Sequence, residues 1–467
     1  MADYRGLSFW FDSLPSVDSG GEGADDLRPR PALSGAREAD VDVDVAIVGG
    51  GLTGLWTAYY LATAEPTLRI AVLEKNIAGF GASGRNGGWC SALFPASTSS
   101  LARRHGRTAA VAMRQAMIDT VGEVGRVCRA ENIDCDFIRG GTVSLARGAA
   151  QLIAARAEVA DAVHFGVDQL EWRDVAHSPR GATGTLGSTF DPACARLHPA
   201  KLVRGLARVV ERLGVTIYEQ TEVLSWRTGE VLTVHGAVRA STIVIALEGY
   251  AASLQQTHRS VLPLYSLMIA TEPLSDETWE EIGIEHGQTF ADFRHLLVYG
   301  QRTADNRFAF GGRGARYHWG SSIRSEYDRA PAVFDHLART LADIFPVVGT
   351  VAITHRWGGP LGVPRDWRAS ATFDSDTGIA TAGGYVGDGL STTNLAGRTL
   401  TDLILRRDTA ISRLPWVNHR SPRWEPEPLR FIGANLGMSA MSIADSEERM
   451  TGRPSIAARL MAPLTGH

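Results

Sequence analysis

The sequence has few cysteines and no long apolar segment, and both shortages limit what the protein can be. Its four cysteines, Cys90, Cys128, Cys135 and Cys194, are scattered and form no CxxC pair. Neither a disulfide scaffold nor a zinc site of that kind is therefore expected. No run of about 18 apolar residues is free of glycine and charge, which predicts no membrane span. Since no signal-peptide pattern is apparent at the N-terminus either, a cytoplasmic location is expected.

The sequence also lacks an excess of charge of one sign. Its formal net charge is −4, which argues against a protein that coats nucleic acid or binds membranes through a basic patch. The thirteen histidines form no HExxH pair, so no catalytic metal is expected. Hydrophobic residues make up 44% of the 467 residues. A chain of this length and composition predicts a globular protein with a large core, divided into about two or three domains.

Glycine, in contrast, is abundant. The chain contains 50 glycines in 467 residues, about 11%, against a usual ~7%. Many of them concentrate in three segments, at 49–54, 79–88 and 383–397. Such clusters predict that the backbone approaches a ligand closely at these places.

The first glycine-rich segment lies inside a predicted βαβ unit. Residues 43–48 form a short apolar, β-branched run that predicts a buried strand. A helix is expected over 55–62, ending before Pro66, and a second strand over 69–74. This order is typical of a parallel sheet.

The same unit carries a dinucleotide-binding fingerprint. Gly49, Gly51 and Gly54 fit GxGxxG between the strand and the helix, and Glu74 ends the second strand 20 residues after Gly54. The glycines allow a tight turn, close approach of a pyrophosphate and close helix packing, and the helix N-terminus favours the phosphates. Glu74 is expected to accept hydrogen bonds from ribose hydroxyls.

The other two glycine-rich segments exceed what a nicotinamide-binding domain needs. Residues 79–88 contain five glycines, which predicts backbone lying against a flat ring or a pyrophosphate, and Arg85 is a candidate contact. The third segment follows a predicted strand at 378–382 and leads into a helix that ends at Ile404. A helix start aimed at a cofactor stabilises negative charge there.

Taken together, the three segments resemble the D-amino-acid-oxidase-type (DAO) FAD-dependent oxidoreductases, in particular their gamma-glutamylputrescine oxidase-like bacterial branch. The resemblance covers about 40–435. It is carried by GGGLTG at 49–54, GASGRNGG at 81–88, HPAKLVRGLA at 198–207, RFAFGGR at 307–313 and GYVGDGLSTTNLAG at 384–397.

The resemblance implies an α/β fold with a Rossmann-type FAD-binding domain and a second α+β substrate domain on a mainly antiparallel sheet. The expected segments are an N-terminal arm at 1–40, FAD-binding parts at 41–97, 191–255 and 351–410, substrate-domain parts at 98–190 and 256–350, and a C-terminal tail at 411–467. We expect the arm to dock through Phe9, Trp10 and Phe11 or to be a mobile tail.

Local patterns add expectations for these segments. Residues 98–185 are expected to be mainly helical, 292–312 to form one of the longer strands, and the tail to hold Pro-rich coil with two short helices. Further helices are expected at 199–213 and 330–345, and further strands at 216–218, 231–235, 242–246 and 261–272.

The implied cofactor is non-covalent FAD, with the adenine held through the backbone of Val223 and the ring lined by 387–393. The expected cofactor-binding residues are Gly49, Gly51, Leu52, Thr53, Gly54, Glu74, Lys75, Gly81, Ala82, Ser83, Arg85, Asn86, Gly87, Gly88, Val223, Gly384, Gly387, Asp388, Gly389, Leu390, Ser391 and Thr392. Cys90, which closely follows the second segment, is either a small buried residue or a covalent attachment point for the flavin.

Candidate substrate residues lie in segments that face the flavin in this family: Tyr299, Arg313, His318 and Trp357. Arg313 could clamp a carboxylate or phosphonate with two hydrogen bonds. Asp388 either binds a cationic amine or caps the following helix. The putrescine-type relatives commonly have His at this position, so Asp388 changes the charge expected at the flavin edge.

A single complete fingerprint predicts that the electrons come from the substrate itself and not from a second dinucleotide. Two-electron oxidation of a C–H bond next to nitrogen, with hydride transfer to flavin N5, fits this expectation and requires no protein base. The expected acceptor is O2, which would give an imine or aldehyde and H2O2. One alternative is a dehydrogenase that passes electrons to a quinone or partner protein, and another is a non-catalytic nucleotide-binding protein.

Overall fold

The computed structural model describes residues 3–16, 27–33 and 41–459. Its helices are α1 (Phe9–Asp12), α2 (Leu52–Ala64), α3 (Thr98–His105), α4 (Arg107–Ala130), α5 (Ala149–Phe165), α6 (Pro199–Arg212), α7 (Asp276–Ile282), α8 (Pro331–Ile344), α9 (Gly389–Ile404) and α10 (Leu429–Thr451). Its strands are β1 (Val41–Val48), β2 (Ile70–Leu73), β3 (Trp89–Ser91), β4 (Thr142–Ala146), β5 (Glu171–Arg173), β6 (Gly187–Asp191), β7 (Cys194–Arg196), β8 (Thr216–Tyr218), β9 (Val223–Arg227), β10 (Glu230–Thr233), β11 (Gly236–Ile245), β12 (Val261–Thr271), β13 (Thr289–Asp292), β14 (Val298–Arg302), β15 (Phe308–Arg313), β16 (Ile353–Pro364), β17 (Ser370–Asp374) and β18 (Ile379–Gly383).

The first sheet has a parallel centre, as the βαβ pattern predicts. Its strand order is β17-β18-β11-β1-β2-β8, with the β9–β10 hairpin attached to β11. Strand β1 pairs in parallel with both β2 and β11, and β8 and β18 continue the parallel pairing on either side. Residues 45–48 of β1 are all buried, because a central parallel strand is covered on both faces. Helices α2, α6 and α9 pack in this half of the molecule.

The second sheet is mainly antiparallel, which together with the first sheet confirms the expected fold class. Its order is β16-β12-β15-β14-β13-β4-β6-β5, and its pairings are antiparallel except for β13 with β4. Aromatic side chains fill the core on one face, where the rings of Trp279 and Phe308 lie 4.4 Å apart between centroids. The long β12–β16 pairing forms one end of the sheet, and β16 leads on toward β17 of the first sheet.

The prediction of one long strand over 292–312 is wrong. The segment is a hairpin, in which β14 and β15 pair antiparallel around a tight turn. The turn is closed by the N–H of Thr303, which donates to the Arg307 carbonyl, and Asn306 has a φ of 63°. The turn-forming sequence Ala-Asp-Asn at 304–306 interrupts the apolar alternation, and this signal outweighs the strand propensity on both sides.

Two other expectations need correction. The mainly helical segment 98–185 also contributes β4 and β5 to the second sheet, and β6 follows at 187–191. The tail holds one long helix, the 23-residue α10, in place of two short helices. Gly433 and Gly437 lower the helix propensity locally but do not break the helix.

Within the described ranges, every helix is too short or too polar to span a bilayer.

The expected docking of the N-terminal arm is confirmed for its described residues. Phe9, Trp10 and Phe11 form α1 and are 3%, 1% and 0% exposed. Further along, Arg30 reaches the fully buried carboxylate of Glu219, at 2.9 Å. Residues 1–2, 17–26 and 34–40 of the predicted arm lie outside the described residues.

Close contact between α2 and α9 yields a test of the fold. A Cβ atom on Gly397 of α9 would lie 2.7 Å from the Trp56 backbone of α2, whereas one on Gly433 of α10 would meet nothing within 4 Å. We expect Gly397→Ala to destabilise the protein by about 1–3 kcal/mol, because the helices must separate. The matched variant Gly433→Ala should be neutral or stabilising by up to about 1 kcal/mol. Thermal melting of both variants checks this, and equal melting temperatures would contradict the packing described.

Candidate functional site

A cavity of about 460 Å³ lies where the two sheets meet. One end is lined by residues after β1, β2 and β11, at the carboxyl ends of parallel strands, which is where open α/β sheets bind ligands. The other end is lined by Ser266, Tyr299 and Arg313 of the second sheet and by Asp388 at the start of α9. The cavity therefore joins the region of the nucleotide fingerprint to the candidate substrate residues.

The fingerprint glycines lie at the turn between β1 and α2. Gly49 has a φ of 111°, and a Cβ there would lie 2.5 Å from the Ala246 carbonyl oxygen. Gly51 is the N-cap residue of α2 and lines the cavity with Leu52 and Thr53. Gly54 lies outside the cavity lining, and its Cβ would be 2.1 Å from the Gly49 carbonyl oxygen, so it serves packing. The positive end of α2 thus faces a wall without side chains.

Glu74 lies at the end of β2, and its carboxylate is fixed by backbone donors. It accepts hydrogen bonds from the N–H groups of Gly50, at 2.9 Å, and Asn76, at 2.8 Å. Burial raises the pKa of Glu74 to about 7, against the effect of these two bonds. Beside it, Lys75 pairs with Glu222 at 2.7 Å, with both side chains partly exposed, and the cavity wall continues to Val223.

In the second glycine-rich segment, the side chain of Arg85 binds protein groups. Its Nη1 donates to Asp328, at 2.8 Å, and to the Gly358 carbonyl, at 3.0 Å. Its Nη2 donates to the Tyr250 hydroxyl, at 2.8 Å. The guanidinium therefore ties this segment to the second sheet, although Arg85 also lines the cavity.

Several neighbours of Arg85 also line the cavity, namely Gly81, Ala82, Ser83, Asn86 and Gly87, whereas Gly88 does not. Ser83 accepts the N–H of Leu52, at 2.8 Å, and so connects the second segment to the start of α2. Cys90 is fully buried in β3 and lies outside the lining. Burial raises the pKa of its thiol well above the ordinary value, which disfavours the thiolate.

The third glycine-rich segment reaches the cavity only in part. Gly387, Asp388, Gly389 and Leu390 line it, and Gly384, Ser391 and Thr392 do not. The hydroxyl groups of Ser391 and Thr392 donate instead to the carbonyls of Ser91 and Asp388. Asp388 is the N-cap residue of α9, but its side chain makes no capping hydrogen bond.

Three of the candidate substrate residues meet at one end of the cavity: Tyr299, Arg313 and Asp388. Tyr299 bonds to Ser266, with 3.0 Å between the hydroxyl oxygens, and its ring stacks on Trp89. Arg313 donates from Nη2 to the Val386 carbonyl. Within the described part of the chain, this is the one hydrogen bond of its guanidinium, so other N–H groups remain for a ligand.

The charges of Arg313 and Asp388 influence each other, although no ion pair joins these two side chains among the described residues. Burial raises the pKa of Asp388 to about 6, and the nearby Arg313 opposes the rise. Burial also lowers the pKa of Arg313, and Asp388 and Tyr299 oppose that change. The end of the cavity therefore presents one cation and one carboxylate that are both incompletely solvated.

The structure places the other two candidates outside the cavity lining. His318 stacks on Tyr327, with 3.4 Å between ring centroids. Trp357 is 2% exposed, packs against the arm and donates from Nε1 to the Arg85 carbonyl, at 2.9 Å.

Sequence reasoning missed Glu248, which lines the cavity just after β11. Its carboxylate accepts the Gly362 N–H at 2.6 Å, and burial raises its pKa to about 7. A signal for it exists in the sequence, since an acidic residue at the carboxyl end of a parallel strand is a site candidate.

The sequence matches known proteins over most of its length. Residues 44–403 match the family described as FAD dependent oxidoreductase (DAO). The chain is 30% identical to the probable oxidoreductase OrdL of Haemophilus influenzae, over 79% of this chain and 84% of that protein. It is 29% identical to gamma-glutamylputrescine oxidoreductase of Escherichia coli, over 84% and 92% respectively.

Solved structures show the same fold. Glycine oxidase from Geobacillus kaustophilus superposes with a TM-score of 0.67 at 20% identity, over 81% of this chain and 99% of that one. The family match confirms the resemblance stated from the sequence motifs. Because the match spans both sheets and all three glycine-rich segments, the chain belongs to the DAO family of FAD-dependent oxidoreductases.

Proposed function

We propose that the protein oxidises the C–N bond of a small amine or amino acid and passes the electrons to O2. The observation that carries this proposal is the meeting of Arg313, Asp388 and Tyr299 at one end of the cavity. The names of two similar proteins support the substrate class, since they are oxidoreductases of gamma-glutamylputrescine and of glycine. Both names designate nitrogen compounds.

The cavity residues fit the FAD that the family uses. The side-chain-free wall at Gly49 and Gly51 and the N-terminus of α2 suit the pyrophosphate. Glu74 would hold the ribose, and the Val223 backbone the adenine. The segment 387–390 and the loop around Asn86 would line the ring. When bound, FAD supplies a two-electron acceptor that takes a hydride at N5.

Asp388 is suited to hold the amino group of the substrate. Its carboxyl group receives no capping hydrogen bond from α9, so its lone pairs remain for a ligand. With a pKa of about 6 it is largely ionised at neutral pH and attracts an ammonium group. Charge-assisted hydrogen bonds of this kind are roughly twice as strong as neutral ones.

Arg313 is suited to hold an anionic group at the other end of the substrate. Its bond to the Val386 carbonyl fixes the guanidinium in place and leaves further donors. A planar guanidinium binds a carboxylate through two parallel hydrogen bonds. Arg313 and Asp388 would therefore orient a small zwitterion, so that the C–H bond next to nitrogen faces the ring.

The proposed reaction needs orientation more than proton transfer by the protein. The ammonium group held by Asp388 first loses one proton to solvent, and the lone pair of the resulting neutral amine then stabilises the carbon that loses hydride. The resulting imine takes up water to give an aldehyde or keto product and an amine or ammonia. Molecular oxygen takes up the electron pair and two protons as H2O2.

The substrate class can be tested by anaerobic bleaching of the purified yellow protein. A panel of amines, amino acids and aminophosphonates is mixed with it, and the oxidised-flavin absorbance is followed. We expect bleaching by compounds that carry an amino group next to a C–H bond. Admitting air should restore the absorbance and release H2O2 in equal amount. Rapid bleaching without reoxidation by air would instead indicate a dehydrogenase with another acceptor, and no bleaching at all would contradict C–N oxidation.

The role of Arg313 can be tested by comparing substrates. In Arg313→Ala, KM for substrates with an anionic group should rise about 10- to 100-fold, the effect of losing charge-assisted hydrogen bonds. Amines without an anionic group should be much less affected. Arg324→Ala is a matched control, since Arg324 also borders the cavity but is exposed. An unchanged KM for every anionic substrate in Arg313→Ala would remove Arg313 from the site.

The role of Asp388 predicts a pH dependence. Because the carboxylate form binds the ammonium group, kcat/KM should rise as pH increases through about 6. Asp388→Asn should lose this rise of kcat/KM with pH. Arg313→Ala should move the rise to higher pH, because Arg313 lowers the Asp388 pKa. Asp335→Asn, at an exposed position of α8, should keep the wild-type profile. If kcat/KM of Asp388→Asn still rises near pH 6, the rise belongs to the titration of another group.

A further inference from the structure

Three consecutive carbonyl groups of the second glycine-rich segment are held from outside the cavity. The Gly84 carbonyl accepts from Ser8 Oγ, at 3.2 Å, the Arg85 carbonyl from Trp357 Nε1, at 2.9 Å, and the Asn86 carbonyl from Trp10 Nε1, at 2.7 Å. Ser8 and Trp10 belong to the N-terminal arm, and Trp357 belongs to β16. All three side chains are at least nine-tenths buried.

The hydrogen bonds to the Arg85 and Asn86 carbonyls also fix the direction of the N–H group on the other side of each peptide. In a trans peptide the N–H points away from the C=O, and the cis peptide bond of the described residues is at Pro428, far from this segment. Holding the Arg85 and Asn86 carbonyls on one side therefore directs the N–H groups of Asn86 and Gly87 to the other. Both residues line the cavity, and neither N–H has an acceptor among the described residues.

The N-terminal arm packs closely against neighbouring side chains around Trp10. The Trp10 ring lies 6.3 Å from the Trp357 ring, edge to face, and 5.0 Å from the His198 ring. Burial lowers the pKa of His198 to about 3, so this neighbour is neutral at physiological pH. The His198 Nε2 lies 3.0 Å from Ser13 Oγ, which ties the end of α1 to α6. The indole of Trp10 thus packs between Trp357 and a neutral His198, and this packing holds its N–H on the Asn86 carbonyl.

We propose that Trp10 of the arm, together with Trp357, is a positioning residue for the flavin. The two indoles orient consecutive peptides so that the N–H groups of Asn86 and Gly87 are presented to the bound cofactor as hydrogen-bond donors. Donors aimed at a flavin stabilise electron density on it. The arm therefore contributes to flavin affinity and to the electronic properties of the bound flavin, although it lies behind the cavity wall. This inference depends on FAD binding and not on the proposed substrate.

The test compares three Trp→Phe variants without any substrate. Trp10→Phe and Trp357→Phe each keep an aromatic ring but remove the indole donor to the segment. Trp279→Phe is the matched control, because Trp279 is 1% exposed and donates to the Asn306 carbonyl at 3.0 Å, outside the cavity lining. Flavin-free protein is titrated with FAD by fluorescence, and the absorbance spectrum and reduction potential of the bound flavin are recorded.

We expect Trp10→Phe and Trp357→Phe to bind FAD about three- to tenfold more weakly, as for loss of one net hydrogen bond. Both should also shift the flavin absorbance bands and lower the reduction potential. Trp279→Phe should lose thermal stability but keep the wild-type affinity, spectrum and potential. If Trp10→Phe matches Trp279→Phe in all three flavin properties, the proposal is overturned. Should Trp10→Phe fail to fold, the flavin properties of Trp357→Phe decide between the two outcomes.

Discussion

The backbone of residues 79–88 is so closely surrounded by protein that a side chain would collide with a neighbour at four of its glycines and would be tightly packed at the fifth. A Cβ atom would lie 2.4 Å from Val203 at Gly79, 3.1 Å from Tyr250 at Gly81, 2.5 Å from Phe11 at Gly84, 2.5 Å from Tyr299 at Gly87 and 2.1 Å from the Leu197 carbonyl oxygen at Gly88. These neighbours come from the arm, α6, β14 of the second sheet and the segments that follow β11 and β7. The arm, α6 and the second sheet can close on this segment because its glycines carry no side chains.

This constraint changes the meaning of the glycine-rich motif. From the sequence, its glycines indicate close approach to a ligand. In the structure, most of the space that a side chain would need is already taken by protein groups. The glycines of the motif thus let neighbouring protein groups pack against this segment to form the cavity wall. Part of the backbone of the segment faces the cavity as a consequence. A residue such as Tyr299 stacks on Trp89 and closes on the loop because Gly87 leaves room for its ring.

What the sequence predicts well is local, and what it misses depends on distant contacts. The β1-α2-β2 unit and the fingerprint were predictable because one strand, one turn and one helix carry all the signal. Strand β4 was hidden among helices, since its partners β13 and β6 are far away in the chain. Strand β5 is only three residues long and gives little local signal. The sequence predicts two short helices in the tail, whereas the structure has the single 23-residue α10, which continues through Gly433 and Gly437.

The same contrast between local signals and distant contacts applies to the candidate site. The motif residues predicted from sequence include many that line the cavity, because each motif keeps its own local geometry. Whether Arg85 is available to a ligand could not be predicted, because Asp328 is 243 positions away and occupies its guanidinium. The contact of Trp357 with the Arg85 carbonyl likewise spans 272 positions. Arg313 and Asp388, which the sequence gives only as separate candidates, meet because β15 and the start of α9 border one cavity.

Arg313 and Asp388 together form an arrangement that is poor for stability and well suited to binding. Two buried opposite charges usually pair directly, since each is costly to leave partly unsolvated. Here Arg313 is bound to the Val386 carbonyl, and no direct ion pair joins it to Asp388 within the described residues. A ligand with an ammonium and an anionic group would satisfy both charges at once. A ligand with only one of them would leave the other charge desolvated, so the separation of the pair supports the proposal that the substrate is a small zwitterion.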